Sequence, residues 1–274
     1  MKAIFNSRIV NTNDHLIKTD DRSFCYGDGL FETIVTSTDR FSLIDFHIAR
    51  LQRGCTIMEM EYPEILTRNY IEQSIEKLAS QNNLNGGLKS KLRLWRNQGG
   101  LYAPTESSSS FYLQVSTSEP KVFDVLREIG LTKDYKTQFS PISFAKTSNA
   151  LTYVLAGVEK NKKHFDDIIL CDTHGNLAES HIANLFWISD SKIYTPKLST
   201  GCVSGVMRSF ILKFLEEQND AVIEVEAPIE TLKEATSIFT TNAAGIRYYQ
   251  HYNGGTYENP AGRLEKLIKR LQQP

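Results

Sequence analysis

Cysteine is sparse and badly spaced for metal or disulfide work. Cys25, Cys55, Cys171 and Cys202 form no Cys-x-x-Cys pair, which argues against a structural zinc site and provides no disulfide framework. Free thiols in a reducing compartment fit that usage, so a cytoplasmic location is expected. Net charge is also missing: 31 basic residues against 32 acidic ones leave −1. No global field draws the chain to nucleic acid or an anionic membrane, and any anion must be met by a local site. Long apolar runs are absent as well. Met1-Lys-Ala-Ile-Phe-Asn-Ser-Arg8 turns polar before a signal-peptide core can form, and nothing downstream approaches bilayer length.

Several familiar fingerprints fail on inspection. Gly27-Asp-Gly29 does not continue as a dinucleotide motif, because Glu32 stands where the third glycine belongs. Ser204-Gly205 lacks the first glycine of a nucleophile elbow. His174 and His181 flank Glu179 without a third ligand at metal spacing, so no metal is expected.

What remains is a 274-residue chain, 41% hydrophobic and 10% aromatic, the composition of an ordinary globular protein of two medium domains. Residues 30–36 and 41–44 read as a strand pair around a polar turn, with Asp45 as N-cap of a helix that follows. Ile65, Leu66, Tyr70, Ile71, Ile75 and Leu78 make one helical stripe after Pro63. Alternation at 89–95 and 111–115 gives two more strands, and the polar stretch 116–121 with Pro120 is the best linker. An α+β domain over 1–118 and a second domain over 122–274 are therefore expected. In the second, helices are expected at 149–162 and 206–217, strands at 168–171, 182–188, 222–225 and 237–240, and a last helix after Asn259-Pro260.

Three features in this frame carry chemistry. Lys146 stands among small and hydroxylic neighbours in Phe144-Ala-Lys-Thr-Ser-Asn149, just before a helix. A lone lysine is ordinarily a solvated surface residue, but these neighbours leave room for a ring. Glu179 follows a turn and leads into an apolar strand, where a carboxylate can keep a pyridine nitrogen protonated or simply face water. Gly205, before Val206 and Met207, opens a helix whose first N–H groups suit a phosphate. Arg50 offers a bidentate fork to the same anion or pairs with Asp45. Thr241 and Asn242 end a strand in a cluster of donors that is also ordinary turn composition. An amine, an anion and a phosphate cradle are together what pyridoxal 5′-phosphate requires.

Seven blocks in order carry a resemblance: Asp21 through Thr33, His47-Ile-Ala-Arg-Leu51, Lys146-Thr-Ser-Asn149, Glu179 through Trp187, Tyr194-Thr-Pro196, Gly201 through Arg208, and Thr240 through Ile246. The chain resembles the class IV aminotransferases, the fold type IV pyridoxal-phosphate enzymes, over nearly its whole length. That resemblance implies a two-domain α+β fold similar to D-amino-acid aminotransferase, with a smaller N-terminal α/β sandwich and a larger barrel-like C-terminal domain, assembled as a homodimer. It implies Lys146 as the lysine that carries the cofactor, Glu179 as the partner of the ring nitrogen, and Arg50, Val206, Met207, Thr241 and Asn242 around the phosphate.

Within the family, His47 through Cys55, Ala183 through Trp187, Gly205 through Arg208 and Asn242-Ala243 look like aminodeoxychorismate lyase. The alternative is an aminotransferase for branched-chain or D-amino acids, and a non-catalytic binding protein is more remote. Phe31 is expected to line the substrate site. Thr33 is a candidate proton donor or a packed strand threonine. The arginine-glycine-tyrosine usual in such lyases is replaced by Gly99-Gly-Leu-Tyr102, so Arg96, or else Arg93, is expected to meet the substrate carboxylate.

Overall fold

Alternation along single strands decides which face of the N-terminal sheet is covered. In the computed structural model, which describes residues 1–36 and 43–273, the chain divides into two compact units. One is Met1–Pro120 with Ala145–Asn149; the other is Lys121–Phe144 with Ala150–Pro274.

The first unit runs β1 (Lys2–Phe5), β2 (Arg8–Asn11), α1 (Arg22–Tyr26), β3 (Gly29–Thr36), α2 (Ile44–Ile57), α3 (Arg68–Gln81), β4 (Leu88–Arg96) and β5 (Ser109–Thr117). The strands are ordered β2-β1-β5-β4-β3, and every neighbour is antiparallel. Leu30, Ile34, Leu92, Leu94, Leu113 and Val115 share one face and are buried. Helix α2 packs on β3 and α3 on β5, bringing the buried residues Ile44, Leu51, Ile71, Ile75 and Leu78 to that side. At roughly 1.5–3 kcal/mol for each fully buried aliphatic side chain, this layer fixes the register of the sheet. A slip of one residue would turn the whole apolar set outward.

Phe31 and Thr33 point to the opposite face, across from Arg93 and Lys91. The segment Ala145–Asn149 belongs to this unit, although the sequence reading assigned it to the C-terminal domain. It lies along the outer edge of β3: the Phe31 amide donates to the Lys146 carbonyl at 2.9 Å, the Ser148 amide to the Gly29 carbonyl at 2.8 Å, and Leu30 pairs with Thr147.

The second unit runs β6 (Phe123–Thr137), α4 (Leu151–Lys162), β7 (Asp167–Asp172), β8 (Leu177–Ser180), β9 (Asn184–Ser189), β10 (Lys192–Pro196), α5 (Val206–Glu217), β11 (Ile223–Val225), β12 (Ser237–Asn242), β13 (Gly245–Tyr252), β14 (Gly255–Thr256) and α6 (Glu265–Leu271). The strand order is β11-β10-β9-β12-β13-β6-β7-β8, and β8 also pairs with β9. That pairing closes β9, β12, β13, β6, β7 and β8 into a barrel, which removes their free edges. Ile129, Ile169, Leu177, Leu185, Trp187, Ile238 and Tyr249 fill one core. The seam is the residue pair Glu179 and Asn184.

Some local expectations move. Half of the strand expected over 41–44, residues 41 and 42, lies outside the described residues. Ile44 itself opens α2, so Asp45 sits in the first helical turn and not at the cap, where its charge still suits the helix dipole. The helix expected after Pro63 starts only at Arg68, because the Thr67 hydroxyl accepts the Tyr70 amide and caps it there. Strand β6 is legible only in tertiary context. It is parallel to both neighbours, and its register shifts between Leu131 and Lys136, so no clean alternation survives in its charged sequence.

Candidate active site

A glutamate on an otherwise apolar strand face organises the first unit. Glu32 stands between Leu30 and Ile34 and is 1% exposed. From α2, one turn apart, His47 and Arg50 reach it. Arg50 Nε donates to Oε1 at 2.8 Å and Nη2 to Oε2 at 2.5 Å, while His47 Nδ1 lies 2.6 Å from Oε2. Burial alone would push the Glu32 carboxyl up, but the Arg50 guanidinium and then His47 outweigh it and hold the carboxyl down at about 2. Burial lowers His47 despite Glu32, and the cations of Arg50 and Lys146 lower it further, so the imidazole is neutral at physiological pH. Arg50 is thus pinned by Glu32, not by Asp45, which pairs instead with Arg68 at 2.5 Å.

Lys146 lies opposite Phe31 on the edge of β3, and its ammonium stands 4.8 Å from the centroid of the Phe31 ring. Thr33 is two residues along on the same strand face and is half-buried. Arg93, opposite Phe31, shares that face and is half-buried too. The expectation for Arg96 is corrected here. It is 5% exposed, and its guanidinium donates to Asp28 Oδ2 at 3.0 Å and to the carbonyls of Met58, Glu59 and Glu106 at 2.5, 3.0 and 3.3 Å. A guanidinium so engaged is a structural tie. Arg93, the other arginine considered, is the one on the Lys146 face.

In the second unit Glu179 is 3% exposed. Its Oε1 accepts from the Tyr153 hydroxyl at 2.7 Å and the Val203 amide at 3.1 Å, and Oε2 from Asn184 Nδ2 at 3.5 Å. Asn184 Nδ2 also donates to the Val203 carbonyl at 2.7 Å. One amide therefore ties the carboxylate strand to the segment that leads into α5. Gly205, the N-cap of α5, makes no side-chain cap, and a Cβ there would fall 1.9 Å from Asn184 Oδ1. The start of the helix keeps its first N–H groups, those of Val206 and Met207, uncovered by any side chain cap, which suits a phosphate.

Helix α5 packs on β12. There Thr241 is buried, and its Oγ1 has no hydrogen-bond partner among the described residues, an orphan that an anionic oxygen would satisfy. The Asn242 side chain is spent on backbone, accepting from the Ala244 amide in the β12–β13 turn at 2.9 Å and donating to the Ile182 carbonyl between β8 and β9 at 3.3 Å. A phosphate contact from this residue would come from its backbone. The residues present thus fit a phosphorylated pyridine: an orphan hydroxyl, an uncapped helix start and a buried, donor-anchored carboxylate.

Lys146, Phe31, Thr33, Arg50 and Arg96 belong to the first unit, and Glu179, Val206, Met207, Thr241 and Asn242 to the second. Sequence reasoning gave no role to Glu32, Tyr153 or Asn184. For Glu32 the signal was present, since a charge at a core-face position needs partners and His47 and Arg50 stand three residues apart on the next helix. Tyr153 carried no local signal. Among the described residues no helix is long and apolar enough to cross a membrane, and no cluster of ligating side chains forms a metal site.

The profile of the amino-transferase class IV family matches residues 29–248. An aminodeoxychorismate lyase of Vibrio harveyi is 26% identical over 228 residues, covering 81% of this chain and 82% of that protein. One of Bacillus subtilis is 29% identical over 247 residues, covering 87% and 82%. A branched-chain aminotransferase from Thermoproteus uzoniensis superposes with a TM-score of 0.85 at 20% identity, covering 99% of this chain and 94% of the other. The fold is therefore that of the fold type IV enzymes, with the expected α+β unit and barrel.

Proposed function

The chain belongs to the amino-transferase class IV family, and from that premise we propose that it is a lyase converting 4-amino-4-deoxychorismate into 4-aminobenzoate and pyruvate. It is a pyridoxal 5′-phosphate enzyme. When bound, the cofactor supplies an aldehyde that captures an amine and a ring that takes up an electron pair.

The remaining steps fall to this chain. Lys146 holds the cofactor covalently, and once released its amine removes the proton from the amine-bearing carbon of the substrate. Glu179 keeps the ring nitrogen protonated. Arg50, held in orientation by Glu32, is the phosphate ligand proposed for the first unit; in the second unit that role falls to the amides of Val206 and Met207, the Thr241 hydroxyl and the backbone of Asn242. Thr33 gives a proton to the departing enolpyruvyl group, Phe31 lines the substrate site, and Arg93 takes a substrate carboxylate in place of Arg96. Loss of the ring proton and of the enol ether oxygen leaves an aromatic amine, with no oxidant needed.

The observation that carries this reading is the pairing of the Lys146 segment with β3, which sets Phe31 beneath the lysine amine and a hydroxyl two residues along the same face. The two lyase relatives support it. An aminotransferase for branched-chain or D-amino acids is the second reading. It is favoured by the loop, which reads Gly99-Gly-Leu-Tyr102 where lyases carry arginine, glycine and tyrosine.

The test is to give purified protein aminodeoxychorismate and follow 4-aminobenzoate by fluorescence, beside a panel of D- and L-amino acids with 2-oxoglutarate. Aromatic product with an equivalent of pyruvate from aminodeoxychorismate, and no glutamate from the amino-acid panel, is expected, and Lys146→Ala abolishes it. Amino transfer without aromatic product refutes the lyase. A homodimer is part of the proposal, and sedimentation at micromolar concentration checks it.

A further inference from the structure

Tyr153 lies in the first turn of α4, with its ring packed against Ala156, Ile168 and Leu170. Its hydroxyl meets Glu179 Oε1 at 2.7 Å. Burial and then the Glu179 charge push the phenol far above its ordinary range, so the hydroxyl keeps its proton and donates. The same oxygen takes the Val203 amide, and the other oxygen takes Asn184. The neighbouring Cys202 thiol is pushed up to about 12, by burial first and Glu179 second, so it adds no competing negative charge. The Tyr153 phenol reaches Glu179 from α4, outside the β8–β9 seam that carries Asn184.

We infer that Tyr153 is a positioning residue for Glu179: its hydroxyl fixes the carboxylate rotamer and draws charge from it, so that a proton shared with a pyridine nitrogen stays on the nitrogen. This rests on the reading of Glu179 as the ring-nitrogen partner. A donor to a carboxylate stabilises the anion and lowers its affinity for a proton. Without that donor the carboxylate becomes more basic and pulls the proton toward itself. The ring then loses part of its capacity to hold negative charge.

The experiment loads wild type, Tyr153→Phe and Glu179→Gln with pyridoxal phosphate labelled at the ring nitrogen with ¹⁵N, and reads the nitrogen shift by NMR. Tyr153→Phe keeps the ring packing, so its circular dichroism and melting should match wild type. Its ratio of protonated to neutral nitrogen should fall about tenfold, the weight of one charge-assisted hydrogen bond. Its kcat should fall by a similar factor, with KM changed less than about twofold. Placing 3-fluorotyrosine at position 153, a stronger donor, should move the nitrogen signal the other way, and this arm stands even if the phenylalanine variant folds poorly. A nitrogen signal unmoved by both changes at position 153, while Glu179→Gln shifts it, overturns the role of Tyr153 alone. If Glu179→Gln leaves the signal unmoved, the reading of Glu179 falls and this inference falls with it.

Discussion

Glu32→Gln tests the buried cluster that orients Arg50. Glutamine keeps the size of the side chain and removes its charge, leaving the Arg50 guanidinium buried against a neutral amide. Holding the carboxyl at about 2 instead of its ordinary 4.5 corresponds to about 3 kcal/mol of folding free energy. Breaking a buried pair by removing one partner typically costs about 3–5 kcal/mol, so the two routes to the magnitude agree. The sign follows from linkage. Glu32 is depressed in the folded state, so its contribution is complete above 4.5 and is lost as pH falls toward 2. His47 is lowered as well, so below its ordinary 6.5 the unfolded chain binds a proton that the folded chain does not, and stability falls in the same direction.

The assay exploits the placement of the two tryptophans, Trp95 in the first unit and Trp187 in the second. In a Trp187→Phe background, urea unfolding of the cofactor-free protein followed by Trp95 fluorescence reports the first unit. At about pH 7 the Glu32→Gln variant should lose about 3 kcal/mol, and the acid-side slope between about pH 4.5 and 2.5 should shrink to what other groups supply. A loss below about 1 kcal/mol, or an unchanged acid slope, would refute the assignment of Glu32 as an ionised anchor.

Gly205→Ala places a methyl where Asn184 Oδ1 now stands, 1.9 Å from the new atom. Cofactor affinity, measured by fluorescence titration, should weaken by about tenfold or more as the start of α5 shifts. Arg96→Ala strands the Asp28 carboxylate's partner network and should lower stability by about 2–4 kcal/mol, seen as a fall in the urea midpoint. Arg93→Ala should leave that midpoint within about 0.5 kcal/mol of wild type but raise KM for substrate about tenfold or more; equal effects of the two would undo the distinction between them.

Part of the candidate site's frame is legible where local rules are strong: Gly205 before a helical stripe announces an open helix start, and Lys146 between small residues stands as a candidate tethering amine. The residues that escaped are those whose role depends on a distant partner. Tyr153 reads as one aromatic on an amphipathic helix, and only the fold brings its hydroxyl to Glu179, 26 residues away. Arg96 reads as a candidate substrate ligand because it borders the Gly99-Gly100 loop. The carbonyls that absorb it come from Met58 and Glu59 at one side and Glu106 at the other, which no local pattern reveals.

The sequence by itself determined the helical stripes, the alternating strands of the first sheet, the helix start at Val206 and the order of blocks that carries the family likeness, because period, capping and composition act within a few residues of the chain. Tertiary structure alone decided that the Lys146 segment would add to the edge of β3, that β8 would close on β9 at Glu179 and Asn184, and that Tyr153 would reach Glu179. Those outcomes depend on pairing groups far apart in sequence, where the gain from satisfying a buried charge or a strand edge outweighs local preference.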